Sequence, residues 1–271
     1  MARIILNFVE SREIRIKNRK GKKLFCRVEG VDLQRRSPSV LIVHGFKGDS
    51  AQRHIVGISN FLVSLGFLTI RVDLTKNPGK SYLNFSEVTY VQELSDLEDV
   101  IKFLLQMPNV DPTRIGIAGH SLGGMVVAEL ASKRKEVKSL VILSGVYDFR
   151  SMMQKVFKKP SAFFKKDFEE RGFTNIWSSV LNKDLKIKKP FYEDIAFRTA
   201  DNFAKNISCP TLVVSVENDE SVSQSHADKY LKNIASKVKK MEIIKGSDHN
   251  YSGQALDKVT SLVADWFMET L

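Results

Sequence analysis

The 271-residue chain has little cysteine and lacks long apolar runs. Its two cysteines, Cys26 and Cys209, lie far apart in segments predicted to be strands, which favours buried free thiols in a reducing compartment. No stretch approaches the roughly 20 apolar residues that a membrane-spanning helix needs. The apolar run within Met1 to Glu10 is too short for a signal peptide and has no cleavage-site pattern. These absences argue against a disulfide-stapled secreted scaffold and a membrane span, and they predict a cytoplasmic location.

Acidic residues are also scarce relative to basic ones. The chain has 31 Asp and Glu against 42 Lys and Arg, a formal net charge of +11. Such an excess attracts nucleic acid when it is concentrated in an arm or a patch, but here the basic residues are spread over the whole chain. We therefore expect a lysine-rich solvated surface and no nucleic-acid partner. The sequence leaves a homodimer open.

Apolar bursts alternate with amphipathic segments along most of the chain. Residues 12 to 30 predict a β-hairpin at a sheet edge, because polar and apolar residues alternate on both sides of a polar turn. From 86 to 107 the apolar positions recur every three or four residues, which predicts a helix: Val91, Leu94, Leu97, Val100, Ile101 and Leu104. The alternation of strands and helices predicts the α/β class, with a mainly parallel central sheet and helices on both faces.

The alternation lapses over residues 148–203. This region is rich in aromatic residues and short helical patterns, is interrupted by Pro160, Gly172 and Pro190, and is too long for a connecting loop. We expect it to be an inserted helical cap on a core made of residues 1–147 and 204–271. A few ordinary surface helices are the alternative. The aromatic residues are Phe157, Phe163, Phe164, Phe168, Phe173, Trp177, Phe191, Tyr192 and Phe197.

Ser121 lies in the most informative motif, Gly-His-Ser-Leu-Gly at residues 119–123. A predicted strand precedes the motif and a predicted helix follows it. A serine between two glycines at such a junction is forced into a strained conformation that exposes its Oγ above the sheet. We predict that Ser121 is a nucleophile.

A serine nucleophile needs a histidine base. Of the five histidines, His54 and His226 fall within predicted helices and are expected at the surface, whereas His44 and His120 flank tight turns. His249 lies in a Gly-Ser-Asp-His loop after the last predicted strand, within reach of the sheet edge. We predict that His249 is the base.

The base needs a carboxylate to orient it. Asp219 follows a predicted strand and precedes His249, in the order serine, acid, histidine that is typical of this type of turn. Asp148, which follows the preceding strand, and Asp248, which is next to the histidine, remain alternatives. Adjacent residues in an extended loop usually point apart, which makes Asp248 the weaker of the two.

The oxyanion of a tetrahedral intermediate needs preorganised N–H donors. The turn supplies the N–H of Leu122. The His44-Gly45-Phe46 loop, at the end of another predicted strand, is expected to supply the N–H of Phe46. No metal or organic cofactor is expected.

In this order and spacing, the His-Gly-Phe-x-Gly loop, Gly-His-Ser-Leu-Gly-Gly, the Asp219 turn and His249 resemble the α/β-hydrolase superfamily. Within it the chain resembles small bacterial carboxylesterases of the cinnamoyl/feruloyl esterase type. One departure is the loop after Asp73, which lacks the usual Gly-His-Gly. The resemblance implies a serine hydrolase acting on small-molecule carboxylic esters. A thioesterase, lipase or peptidase with the same triad, or a hydrolase fold reused for binding, are the alternatives. A dehalogenase is disfavoured because it would want a carboxylate in place of Ser121.

Overall fold

The computed structural model describes residues 11–31, 35–157, 161–178 and 181–271. Residues Met1 to Glu10, in which no signal peptide was predicted, lie outside these ranges. Pro160, a predicted break in the cap, lies outside them as well. The side chains of three predicted cap aromatics, Phe157, Phe163 and Phe164, lie outside the description as well. None of the helices in the described part of the chain combines the length and apolar composition that a membrane crossing requires.

The apolar bursts of the sequence form strands. In chain order these are β1 (Arg12–Lys17), β2 (Lys23–Glu29), β3 (Ser37–Val43), β4 (Leu68–Asp73), β5 (Val110–His120), β6 (Val137–Leu143), β7 (Phe173–Ser178), β8 (Lys183–Lys188), β9 (Thr211–Val216) and β10 (Lys239–Ile244). Within the described ranges, eight of them form one sheet in the order β1-β2-β4-β3-β5-β6-β9-β10. Pairing is parallel from β4 to β10, and the predicted hairpin of β1 and β2 adds two antiparallel strands at one edge. The predicted α/β architecture is thus confirmed.

The amphipathic segments form helices that cover both faces of this sheet. They are α1 (Arg53–Ser64), α2 (Tyr90–Gln106), α3 (Leu122–Lys133), α4 (Phe149–Phe157), α5 (Ser161–Arg171), α6 (Lys189–Ile195), α7 (Gln224–Asn233) and α8 (Gln254–Thr270). Helices α1 and α8 share one apolar core with the sheet, and α2, α3 and α7 share the other. The strands between these cores are apolar on both sides because neither face meets water.

Helix α2 begins where Thr89 accepts a hydrogen bond from the N–H of Gln92, an N-cap that satisfies one of the free donors of the first turn. The predicted apolar face is buried from Leu94 to Leu104. Val91 is an exception, because its side chain is 54% exposed at the first turn. The expectation that Val91 belongs to the buried face was therefore wrong.

Between β6 and β9 the chain forms α4, α5, the strands β7 and β8, and α6. Strands β7 and β8 pair antiparallel in a small sheet of their own. Only helices were expected here. The missed signal is the alternation within β7, where Thr174, Ile176 and Ser178 are buried and the residues between them are exposed.

Both cysteines are free. Cys26 is buried in β2, as expected, and burial raises the pKa of its thiol to about 12. Cys209 precedes β9 instead of lying within it, and it is half-buried.

Candidate active site

Ser121 lies in the sharp turn between β5 and α3. Its backbone has φ 56° and ψ −120°, in the region that residues other than glycine rarely adopt. The turn is also tight: a Cβ on Gly119 would lie 2.4 Å from the carbonyl oxygen of Gly123, and a Cβ on Gly123 would lie 2.2 Å from that of His44. Only glycine fits at both positions, so the sequence Gly-x-Ser-x-Gly is what permits this turn.

The loop after β3 packs directly against Ser121. A Cβ on Gly45 would lie 2.9 Å from the Ser121 Cβ, so glycine allows the loop to approach the serine. The buried His44 ring holds this loop, because its Nδ1 donates to the carbonyl of Gly45 at 2.8 Å and its Nε2 accepts from the N–H of Leu74 at 3.1 Å. Burial lowers the pKa of His44, which keeps the ring neutral and able to do both.

Two backbone N–H groups were predicted to bind an oxyanion. That of Phe46 lies in the loop after β3, and that of Leu122 lies at the start of α3. Within the described residues, neither donates to a backbone carbonyl. The N–H of Leu122 belongs to the first turn of α3, whose free donors favour negative charge. The two groups therefore have the hydrogen-bonding capacity that an oxyanion requires.

His249 and Asp219 form a buried pair in the loops that follow β10 and β9. The His249 Nδ1 lies 2.8 Å from the Asp219 Oδ2, and the Asp219 side chain is 1% exposed. The other carboxylate oxygen accepts the N–H groups of Ser221 and Val222, at 2.8 and 2.7 Å. Burial alone would raise the pKa of Asp219, but these hydrogen bonds and His249 outweigh it, so the pKa lies below its usual value. The carboxylate thus stays ionised beside the imidazole.

The neighbour of Ser121 in the chain brings the two halves of the site together. His120 Nε2 donates to the backbone carbonyl of His249 at 2.9 Å, and the centroids of the two rings are 4.6 Å apart. The structure therefore brings Ser121, His249 and Asp219 into one region at the carboxyl ends of β5, β9 and β10.

The two alternative acids have local roles. Asp148 Oδ1 accepts from the N–H groups of Arg150 and Ser151 at the start of α4. Asp248 Oδ1 accepts from the N–H groups of Asn250 and Ser252 in its own turn. The hydrogen bond to the His249 ring thus favours Asp219 over both.

Two histidines that were expected at the surface are buried, so this expectation was wrong. His54 is 2% exposed and packs edge-on against His120, with ring centroids 4.3 Å apart. His226 is 3% exposed and accepts the N–H of Tyr147 at 2.9 Å. Burial lowers the pKa of each to about 4, so both rings are neutral at pH 7.

Aromatic rings lie beside the loop after β3. Phe46 stacks on Phe191 of α6 with centroids 4.9 Å apart and also contacts Phe85 at 5.4 Å. Phe85 precedes α2 and was not singled out in the sequence. Of the predicted cap aromatics, Trp177 and Phe197 are largely exposed, at 55% and 80%.

Two lysines connect the segment between β6 and β9 to the loops of the site. Lys47, in the loop after β3, donates from Nζ to the carbonyl of Trp177 at 2.8 Å. Lys155, on α4, donates to the backbone carbonyl of Asp219. Both loops that border the candidate site are therefore fastened to this segment.

The loop after β4, which lacks Gly-His-Gly, is held by a buried aspartate. The carboxylate of Asp73 accepts the N–H groups of Ser50 and Lys80, at 2.7 and 2.6 Å. Gly79 permits the approach, since it has φ 118° and its Cβ would lie 2.5 Å from that carboxylate. In the described residues, no three His, Cys, Asp or Glu side chains are grouped so that they could hold a metal ion.

Known proteins resemble this chain in sequence and in fold. A sequence profile described as the Prolyl oligopeptidase family matches residues 57–271. The structure of Est1E from Butyrivibrio proteoclasticus with bound ferulic acid is 26% identical in sequence, with a TM-score of 0.80, and the match covers 95% of this chain and 98% of that one.

Two curated proteins match most of the chain. An uncharacterized 31.7 kDa protein in the traX-finO intergenic region of Escherichia coli is 25% identical, over 87% of this chain and 92% of its own length. An acyl transferase of Aliivibrio fischeri (strain MJ11) is 24% identical, over 88% of this chain and 75% of its own length.

Proposed function

The chain belongs to the prolyl oligopeptidase family and has the α/β-hydrolase fold, and on this basis we propose that it is a serine hydrolase that cleaves carboxylic esters. The observation that carries the proposal is the 2.8 Å contact between His249 Nδ1 and Asp219 Oδ2. It gives an imidazole oriented by a buried carboxylate, in the same region as a serine held at positive φ.

The reaction proceeds in two steps through an acyl-enzyme. Ser121 Oγ attacks the ester carbonyl carbon while His249 Nε2 takes the hydroxyl proton, and the N–H groups of Phe46 and Leu122 bind the oxyanion. His249 then gives the proton to the departing alkoxide oxygen, and the C–O bond of the ester breaks. A water repeats the sequence, releasing the carboxylic acid and restoring Ser121. Asp219 stabilises the imidazolium and stays ionised throughout.

Residues 148–203 serve as the cap in this proposal. The stacking of Phe46 on Phe191 and the two lysine contacts support it, because they join this segment to the loops beside Ser121. The rings of Phe46, Phe85 and Phe191 beside this loop are apolar, which suits a small-molecule ester whose acyl or alcohol part is apolar. The 26% identity to Est1E, solved with ferulic acid, is consistent with an aromatic acyl group.

The test is the intact mass of the protein after exposure to a fluorophosphonate, with Ser121→Ala as the matched variant. We expect a single phosphonyl adduct on the wild type and none on the variant. A panel of acetyl, octanoyl and feruloyl esters then measures the size of the pocket. A folded wild type that takes up no adduct would contradict the proposal and favour a hydrolase fold used for binding.

Acyl transfer is a second candidate, favoured by the acyl transferase of Aliivibrio fischeri. The acyl-enzyme is common to both reactions, and an alcohol replaces water in its second step. The ratio of new ester to free acid, measured with increasing alcohol concentration, separates them: a transferase gives mostly ester at low alcohol. A prolyl anilide in the same panel tests the peptidase activity that the name of the family suggests.

A further inference from the structure

His120 packs against the proposed base His249 and against two further buried rings. It is the last residue of β5, adjacent to Ser121, and its side chain is buried. Its ring lies 4.6 Å from that of His249 and 4.3 Å from that of His54, measured between centroids. The ring of Tyr251 lies 6.0 Å away. From the sequence, His120 was predicted only to flank a tight turn.

The two ring nitrogens of His120 have different surroundings. Nε2 carries the proton, because its partner is a carbonyl oxygen, that of His249, at 2.9 Å. Nδ1 is buried and has no hydrogen-bond partner among the described residues. It faces the loop after β3, where a Cβ on Gly45 would lie 3.3 Å from it. Burial and the neighbouring histidines lower the pKa of His120 well below its usual value, so the ring is neutral with a single N–H.

This arrangement is poor for stability. A buried acceptor without a donor costs free energy, and an apolar side chain of similar size would avoid that cost. Histidine at this position therefore contributes little to the stability of the fold beyond the one hydrogen bond that it makes. That hydrogen bond ends on the backbone of the proposed base.

The loop that carries His249 is also held on its other side. The hydroxyl of Tyr251 lies 2.9 Å from Ser144 Oγ, and the N–H of Tyr251 donates to the carbonyl of Asp248 at 3.1 Å. Tyr251 has φ 57°, so the loop turns sharply just after His249. With the carbonyl of His249 fixed by His120, the backbone on both sides of the Cα that carries the imidazole is fastened.

We propose that His120 is a positioning residue, which fixes the backbone of His249 relative to Ser121 through the hydrogen bond from its Nε2. The proposal rests on the proposed function. Since His120 is covalently joined to Ser121, one residue sets the separation of nucleophile and base. A displacement of about 1 Å at this point costs on the order of 10²-fold in rate.

The experiment compares His120→Met, which fills the space without a donor, with His120→Gln, whose amide Nε2 can donate to the same carbonyl. The matched control is His54→Met, which removes ring packing against His120 and leaves the contact to His249. We expect kcat for an ester to fall about 10²-fold in His120→Met with little change in KM, and to recover at least tenfold in His120→Gln. His54→Met should retain most of the wild-type kcat, and the Tm of His120→Met should stay near that of the wild type.

Proton NMR reports on the position of the His249 ring without any need for catalytic turnover. The Nδ1–H of His249 in its hydrogen bond to Asp219 gives a downfield proton resonance, assigned by its loss in Asp219→Asn. We expect it in the wild type and in His120→Gln, and shifted or broadened in His120→Met. If fluorophosphonate fails to label the wild type, the proposed ester hydrolysis fails while this resonance still reports on His120.

Two results would overturn the proposal. One is a His120→Met variant with wild-type kcat and an unchanged resonance. The other is a parallel fall of Tm and kcat that His120→Gln does not reverse, since a residue that only supports the fold behaves in this way.

Discussion

Replacing Asp219 by Asn changes the candidate site at one oxygen. The amide oxygen of Asn can still accept the N–H groups of Ser221 and Val222, so the turn after β9 keeps its shape. The amide nitrogen would then face His249 Nδ1, where Asp219 Oδ2 now lies at 2.8 Å. Two N–H groups cannot bond to each other, so the ring must carry its proton on Nε2 instead.

That tautomer cannot take the proton of Ser121, because Nε2 is already protonated. The imidazolium also loses the charge of the carboxylate that stabilises it. In triads of this type the same change lowers kcat by about 10⁴-fold, which corresponds to about 5 kcal/mol in the activation free energy. We expect a loss of this size for Asp219→Asn.

The assay is kcat for the best ester of the panel, together with the rate of fluorophosphonate inactivation. Asp148→Asn and Asp248→Asn are the matched controls, since the hydrogen bonds described for both carboxylates come from their own turns. They should stay within a few-fold of the wild type. If Asp219→Asn kept kcat within tenfold while Asp148→Asn lost it, the assignment of the acid would be wrong.

Three further predictions follow from other contacts. Phe46→Ala should raise KM more than it lowers kcat in ester assays, because the proposed oxyanion donor is a backbone N–H; a loss confined to kcat would contradict this. The neutral His226 accepts the N–H of Tyr147 and its pKa is about 4, so between pH 6.5 and 4 the unfolded state binds a proton that the native state does not. The free energy of unfolding should therefore fall by roughly 3 kcal/mol over this range as the pH is lowered, and His226→Gln should lose that part of the decrease in urea titrations. Glu29→Gln should cost about 3–5 kcal/mol in urea unfolding, because it leaves the guanidinium of the buried Arg71 without its charged partner at 2.9 Å; a cost below 1 kcal/mol would show that water or another group replaces it.

Much of the fold could be predicted from local sequence. The strands flanked by helices on both faces appear as runs of β-branched and leucine residues, since a strand covered on both faces has no polar side. The turn at Ser121 could also be predicted locally, because the glycines that it requires lie within a few residues of the serine. Signals of this kind lie in the segment that they describe.

The burial of two histidines could not be predicted, because it depends on residues distant in the chain. His54 packs against His120, and His226 accepts a hydrogen bond from Tyr147. Nothing in the helices that carry them distinguishes them from surface histidines. The choice between Asp219 and Asp148 has the same origin: both follow strands, and only the contact with His249 separates them.

The exposed Val91 is a failure of a different kind. Helical periodicity describes which side of a helix is apolar, but it does not say where along the helix the covering layer ends. Val91 lies in the first turn, and its N–H donates to the carboxylate of Asp194 in α6.

The small hairpin of β7 and β8 was missed because six-residue strands give too few alternations to outweigh the helical patterns around them.

The order of strands in the sheet also has a consequence for synthesis on the ribosome. Strand β6 pairs with β9, yet the whole segment from α4 to α6 is translated between them. At about 5–20 residues per second, the roughly 130 residues from Ser121 to His249 take on the order of 6 to 26 s to make. From the end of β6 at Leu143 to the end of β9 at Val216, roughly 70 residues and on the order of 4 to 15 s, β6 has an open, apolar edge. Nascent chains aggregate on surfaces of this kind, and chaperones cover them. The candidate site is therefore completed only after β9 and β10 have been made, and a ribosome that stalls between β6 and β9 leaves a serine with neither base nor acid.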